Sequence, residues 1–488
     1  MSHEKLENSL DEKKLKKLHY IVSIILMLLV LSVLYAVWSG EGSLTLFYLM
    51  DNIPIYFHVD ALARVFVTVT SIVWLLVGFY AFIYMGHEGN EKRFFFFYIL
   101  VYVVLIALEL SGNLVTLYFF YELMTLTSMP LVLHNGSKEA IMAALKYLFY
   151  SMCGAYCALF GIYFLYQYCD TLTFRAGGTL NMTLVSGNET ILLISVLMML
   201  IGFGAKAGMF PLHSWLTSAH PVAPAPASAV LSSIIVKGGV LAIIRSVYYI
   251  VGVDFIRGSF VQTTWIILTL LTVFMGSMLA YREKVFKKRL AYSTVSQVSY
   301  ILFGLAMLTP EGFVGGVLHV ICHACIKCTL FLTAGSFIFH TGKTRVDEYT
   351  GIGRHMNITL WCYTLASLAL IGIPPMSGFV SKWYLAQGAL QSQTGIFRFL
   401  GPAVLLVSAL LTAGYLLPVT VKGFLPGKDF VPESGEGKES EYKKERLDIM
   451  NAALIILAWF SILFGVLPNT LINYISEIAY GLFQGGIR

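Results

Sequence analysis

Apolar runs of about 20 residues recur along almost the whole of this 488-residue chain, and a helix of that length crosses the roughly 30 Å hydrocarbon core of a bilayer. Lipid offers no partner for backbone N–H and C=O groups, so a spanning segment must satisfy them itself, as an α-helix does. The composition agrees: 57% of residues are hydrophobic, 12% are charged and the mean hydropathy is +0.76, well away from a soluble domain. These features predict an all-α polytopic membrane protein and exclude a soluble globular enzyme.

Thirteen candidate spans follow, over residues 20–38, 60–85, 94–111, 113–133, 140–168, 190–216, 226–250, 262–281, 291–308, 313–340, 359–391, 400–421 and 448–467. Their loops differ in charge. Of 33 Lys and Arg residues, 22 fall in the N-terminal leader and every second loop thereafter, 4 fall in the other loops and 7 lie inside spans. Basic residues accumulate on the cytoplasmic side of inner membranes, which predicts a cytoplasmic N-terminus in a multi-pass cell (inner) membrane protein. The same pattern accounts for the net charge of +6 without nucleic acid, which is excluded as a partner. Residues 1–19 read as a charged cytoplasmic leader. The run from Tyr20 to Trp38 is too long for a cleaved signal and lacks a small-residue cleavage site. The polar stretch from Lys422 to Asp448 reads as a mobile cytoplasmic loop, and the tail after Pro468 lies outside or along the membrane.

Six of the seven cysteines fall inside spans, so they read as small buried residues rather than a disulfide framework. Cys322, Cys325 and Cys328 form a C-x2-C-x2-C run, but on a helix they fan out around an arc, with Lys327 between them. No fourth Cys-Pro follows, so iron–sulfur ligation is excluded. With no phosphate-binding loop, dinucleotide fingerprint or zinc motif in the sequence, no cofactor and no metal are expected.

The charged residues left inside the spans carry the functional information. Arg64, Arg245 and Lys146 lie within about two turns of a span end, where a long stem can carry its charge to the interface. Lys206, Lys237, Lys327 and Lys382 lie deeper. Lys237 and Lys327 sit 11 and 14 residues into their spans, about 16 to 21 Å of helix, where a lysine costs roughly 3 kcal/mol on insertion scales. Such residues mark ion pathways by default, and so does Glu122, nine residues into its own span. Glu109 lies near a span end, where a structural and a functional reading weigh evenly. His319, His323 and Lys327 are spaced i, i+4, i+8, so three titratable groups share one helix face over about 12 Å. That is the spacing of a proton relay, for which histidine's pKa near 6.5 is suited.

Two spans are interrupted. GFGAKAGMFPLHSWL is predicted to be loosened by Gly202, Gly204 and Gly208 around Lys206 and ended by Pro211; GIPPMSGFVSKWYL carries Pro374, Pro375 and Gly378 just before Lys382. Each is a broken helix holding a lysine, near 202–211 and 372–382. They stand five spans apart and so cross in opposite directions, as inverted repeats do in transporters.

The strings LYFFYELMTLTSMPLV, GFGAKAGMFPLHSWLTSAHPVAPAPASAVLSSIIVKGG, HVICHACIKCTLFLTAG and GIPPMSGFVSKWYL resemble, in order and over about residues 40–470, the antiporter-like subunits shared by respiratory complex I, Mrp-type sodium/proton antiporters and membrane-bound hydrogenases. The resemblance implies two inverted five-helix units, 112–250 and 251–421, flanked by N-terminal spans (20–111), a cytoplasmic loop (422–447) and a last span with tail (448–488). It implies a relay of Glu122, Lys206, Lys237, His323 and Lys327 ending at Lys382, with Lys146 and His220 at further polar positions of the family. In it a Glu122–Lys206 ion pair holds the lysine's proton until the pair separates. Typical members carry one more span before residue 20, and the largest complex I member has a long lateral helix with no counterpart here.

The expected function is proton translocation through this midplane Glu/Lys/His route, inside a multisubunit complex embedded in the lipid bilayer. The complex is either a redox-driven pump of the hydrogenase, sulfur reductase or complex I type or an Mrp-type sodium/proton antiporter in which this chain is the D-type component. A structural scaffold is the remaining alternative. Sodium demands several oxygen ligands and finds ammonium groups here, so any sodium transfer is assigned to a partner subunit.

Overall fold

The computed structural model describes residues 3–50, 53–427, 445 and 447–484; most of the stretch from Lys422 to Asp448, and Arg488, lie outside them. Leaving aside single-turn segments, the described chain forms sixteen helices: α1 (His3–Trp38), α2 (Ala61–Glu88), α3 (Glu91–Glu109), α4 (Leu114–Val132), α5 (Lys138–Tyr168), α6 (Glu189–Lys206), α7 (Ser214–Val222), α8 (Ala225–Val251), α9 (Phe260–Arg282), α10 (Phe286–Ala306), α11 (Pro310–Thr341), α12 (Asn357–Ile371), α13 (Ser377–Gln391), α14 (Phe397–Phe424), α15 (Ile449–Val466) and α16 (Asn469–Gln484).

Ten helices among the described residues are long and apolar enough to cross a membrane. The thirteen expected segments all fall on helices. Those below the threshold are α3, with charges at both ends, α10, which opens on Lys287, Lys288 and Arg289, and α12 and α13, the 15-residue halves of one interrupted segment. Starts are set by side-chain caps: Asp60, Asn113, Ser137, Thr309 and Asp448 each accept a backbone N–H of the first turn.

The most hydrophobic helices are not the most enclosed. α1 exposes most of its apolar residues between Leu18 and Trp38, as a lipid-facing helix does, whereas the most apolar stretches of α8 and α11 are entirely buried. α11 is the central rod, buried from Gly312 to Phe337 and packed against α10, α13, α15 and α16. α16 is amphipathic and docks inward through Ile475, Ala479 and Leu482.

Three features depart from expectation. Residues Ser43–Met50 and Ile53–His58 pair as an antiparallel β1–β2 hairpin, built from aromatic and branched side chains that suit strands. Arg245 does not reach an interface: it is 1% exposed, pairs in bidentate fashion with Asp60 at 2.5 and 2.8 Å, and lies over the rings of Tyr249 and Phe174. A carboxylate matching the guanidinium fork removes the need to snorkel. Lys287 and Arg289, expected in a cytoplasmic loop, belong to the first turn of α10 and are buried; Lys287 donates to the Ala223 carbonyl and Arg289 to those of Glu283 and Tyr415. Arg64 does stay near its span end, donating to the carbonyls of Val37 and Gly40.

A buried row of lysines and histidines

Both interruptions are real, and each ends its first half at the lysine site. α6 stops at Lys206 and α7 begins at Ser214. Of the three glycines expected to loosen this segment, only Gly208 has left-handed backbone (φ 77°). Gly202 instead lets α6 press against α5, since a Cβ there would sit 2.4 Å from the Gly154 carbonyl oxygen. In the second segment Gly372 (φ 90°) terminates α12, and a Cβ on Gly378 would strike the Ala369 carbonyl. The two half-helices therefore overlap closely enough for Lys382, on α13, to reach back.

Lys206 is 0% exposed and donates to three neutral oxygens: Thr125 Oγ1 at 2.7 Å, Tyr147 Oη at 2.8 Å and Ser151 Oγ at 3.1 Å. Its ammonium also lies 4.4 Å from the Tyr147 ring centroid, a cation–π arrangement. The expected ion pair with Glu122 is absent. Glu122 shares a face of α4 with Phe119 and Leu126, 42% and 58% exposed, while Thr125 points inward and takes the lysine. The carboxylate lies within Coulombic range of Lys206 without touching it, and its Oε1 is buried with no hydrogen-bond partner.

Lys237 sits just after a π-helical turn, Leu231–Ile235, which sequence periodicity does not reveal. Such turns collect at functional sites. The Ser232 carbonyl, within this turn, accepts from Lys237 Nζ at 3.0 Å; the same Nζ lies 2.6 Å from Nδ1 of His323. Gly239 brings the helix close to the Lys206 site, since a Cβ there would lie 2.6 Å from the Phe203 carbonyl oxygen and 3.1 Å from Lys206 Cβ.

On α11 the predicted triplet occupies one buried stretch but reaches three partners. His323 meets Lys237. His319 lies 5.8 Å from His323 between ring centroids, stacks on Tyr300 and pairs through Nδ1 with Ser381 Oγ at 2.9 Å. Lys327 donates to the Leu290 carbonyl at 3.0 Å and to Ser293 Oγ at 2.6 Å. Lys382, next in sequence to Ser381, donates to the carbonyls of Leu370 (2.6 Å) and Ile371 (2.9 Å), placing its charge at the negative end of α12.

The remaining candidates separate. Nε2 of both His319 and His323, and both ring nitrogens of His220, are buried without a hydrogen-bond partner, and His220 stacks on Phe331. Glu109 is buried, accepts from Thr70 at 2.5 Å and leaves Oε2 without a partner. Lys146 lies on the outer face of α5 and donates to Ser218 at 3.0 Å. Thr125, Tyr147, Ser151 and Ser293 hold ammonium groups through their hydroxyls and Ser381 holds His319; sequence reading missed them because serine, threonine and tyrosine are common inside membrane helices.

The arrangement is thus a set of buried ammonium and imidazole groups whose direct partners are hydroxyls, carbonyls and, for Lys237 and His323, each other. It suits small cation transfer, above all proton transfer. Residues 111–412 match the transmembrane family described as NADH:quinone oxidoreductase/Mrp antiporter, and residues 49–95 match the N-terminus of chain 5 of NADH-ubiquinone oxidoreductase, complex I. The chain is 30% identical to NADH-quinone oxidoreductase subunit N of Desulforudis audaxviator over 86% of its length and 84% of that protein. It is also 30% identical to the D-type component of the Na(+)/H(+) antiporter of Bacillus subtilis, covering 87% of this chain and 83% of the relative. Its fold is similar to that of a chain in the Mrp complex of a Dietzia species, with a TM-score of 0.82 at 21% identity over 96% of this chain and 93% of the other. The protein belongs to the family of antiporter-like membrane subunits that complex I and Mrp antiporters share.

Proposed function

We propose that this chain is the proton-carrying subunit of a multisubunit membrane complex, with Glu122, Lys206, Lys237, His319, His323, Lys327 and Lys382 as the relay and Lys146, His220 and Glu109 as accessory polar positions. The observation that carries this reading is the 2.6 Å contact between Lys237 Nζ and His323 Nδ1. At that distance the two nitrogens hold one proton between them, because both cannot direct a proton along the same line. A structural role gives no reason to bury that competition.

A charge arriving near Lys206 from the Glu122 side repels the proton on Lys237 toward His323. From there His319 leads toward Ser381 and Lys382, while Lys327 lies within Coulombic range of Lys237. Interactions of this kind are strong because the surroundings are poorly polarisable. The cations are held by neutral groups, so removing a proton leaves no uncompensated carboxylate behind. The nitrogen-lined route disfavours sodium, which is assigned to a partner subunit.

Units 112–250 and 251–421, each with one broken helix and one deep lysine upon it, are read as inverted repeats. The basic-residue asymmetry supports a cytoplasmic N-terminus in a cell (inner) membrane. The driving reaction belongs to partner subunits, and a redox-driven complex is the first reading. The Bacillus relative favours an Mrp-type antiporter as the second.

The test is proton uptake by liposomes holding the intact complex, with the proteins that co-purify in mild detergent identified alongside. The intact complex is expected to acidify the liposomes, and Lys237→Met is expected to abolish this without loss of subunits. Uptake that survives Lys237→Met would overturn the relay.

A further inference from the structure

The outer face of α5 carries a groove of about 590 Å³ around Lys146, away from the Lys206–Lys382 row. It is lined by Glu139, Met142, Lys146 and Phe149 of α5 and by Ser218 and Val222 of α7. Met142 and Phe149 are 66% and 65% exposed, so the groove opens outward from the helix bundle. Lys146 stands eight residues into α5, about 12 Å from its start. One of its three N–H groups goes to Ser218; the Ser218 hydroxyl in turn donates to the Ser214 carbonyl, leaving Ser218 nothing to give a ligand.

The ammonium also lies 5.9 Å from the Tyr150 ring centroid, which leaves N–H donors that an anion would fill. Glu139 does not supply it, being seven residues nearer the helix start, about 10.5 Å along the axis. Helical side chains lean toward the N-terminus, so the Lys146 ammonium rises toward the headgroup level with Glu139 above it. The groove therefore presents, from its rim inward, a carboxylate, an ammonium and an apolar floor. Below it the exposed residues Phe149, Met152, Tyr156 and Leu159 continue as a stripe down α5.

We infer that this groove binds one phospholipid with a zwitterionic primary-amine headgroup, its phosphate on Lys146, its ammonium on Glu139 and one acyl chain along the α5 stripe. The order of charges matches the order in such a lipid, whose amine lies outside its phosphate and whose tails lie inside. A phosphatidylglycerol headgroup has no cation for Glu139 and places a negative charge beside it. A choline headgroup has a cation without N–H donors.

The test uses the complex purified through a tag on this chain and placed in nanodiscs of phosphatidylethanolamine, phosphatidylcholine or phosphatidylglycerol. Trace photoreactive lipid of the same headgroup reports binding by cross-linked peptides. The ethanolamine probe is expected to label α5 or α7 peptides at least several-fold more than the other two. Lys146→Gln is expected to remove that labelling while Lys146→Arg retains it, which separates phosphate binding from loss of fold. Glu139→Gln is expected to abolish the preference over phosphatidylglycerol. Equal labelling by all three headgroups, labelling unchanged in Lys146→Gln, or a partner subunit cross-linked across the groove in place of lipid would each overturn the assignment.

Discussion

Lys237 and His323 stand 86 positions apart in sequence, yet their side-chain nitrogens lie 2.6 Å from one another, with no carboxylate among the described residues in contact with either. His323→Ala removes the partner and leaves Lys237 only the Ser232 carbonyl. Proton uptake by the reconstituted complex is expected to fall at least tenfold, the equivalent of about 1.4 kcal/mol of barrier, with subunit composition unchanged. Uptake at the normal rate would make His323 a packing residue.

Lys382 separates a relay from an anchor. Lys382→Arg is expected to assemble, because a guanidinium can also donate to the carbonyls of Leu370 and Ile371, but to transfer poorly, because arginine keeps its proton at any accessible pH. Lys382→Ala is expected to block transfer as well. Near-normal uptake by the arginine variant, measured in vesicles with assembly checked by subunit stoichiometry, removes Lys382 from the route.

Glu122 touches no cation, so it acts through its field. Glu122→Gln keeps the shape of the side chain and removes the charge. Coupled transfer is expected to be lost while thermal stability of the complex changes by less than about 1 kcal/mol, because the half-buried carboxylate gives up no hydrogen bond at Oε1. A large stability loss with transfer intact would assign Glu122 to structure.

Asp60 and Arg245 predict the opposite pattern. Arg245 is 1% exposed and its direct anionic partner is Asp60, which also caps α2 through Ala63 N–H. Breaking a buried pair from one side strands the other charge and costs about 3 kcal/mol. Asp60→Asn is expected to lower the melting temperature of the solubilised complex clearly, and uptake per assembled complex is expected to change little. An unchanged melting temperature contradicts this account.

Topology is testable with single cysteines. Lys284 is exposed where Lys287 is buried, so a cysteine at 284 reports the first loop face cleanly. It is expected to react with an impermeant thiol reagent only from the cytoplasm, and one at 257 only from outside. The reverse pattern would invert the orientation.

The residues behind these tests differ in how legible they are in the sequence. Span positions follow from hydropathy, a property of neighbouring residues, and the breaks follow from proline and glycine, which act on their own backbone. Lys206, Lys237, Lys327 and Lys382 stand out because lysine is costly in lipid. What surrounds them does not, because Ser293 lies 34 positions from Lys327 and Thr125 lies 81 from Lys206. The burial of Lys287 escapes for the same reason: a loop residue and a residue in the first turn of a packed helix look alike until Ala223 is brought beside it.

The π-helical turn at Leu231–Ile235 sets the direction of Lys237. Such a turn holds one residue more than the α-helix it interrupts, and each residue turns a regular helix by about 100°. Deleting one residue there would let the backbone relax into a regular helix with every side chain beyond keeping its depth and direction. Straightening the turn with all five residues kept would instead swing those side chains round by that step, and Lys237 would face away from His323. The aim of a buried charge thus rests on Leu231, Ser232, Ser233, Ile234 and Ile235, five residues that carry no charge themselves.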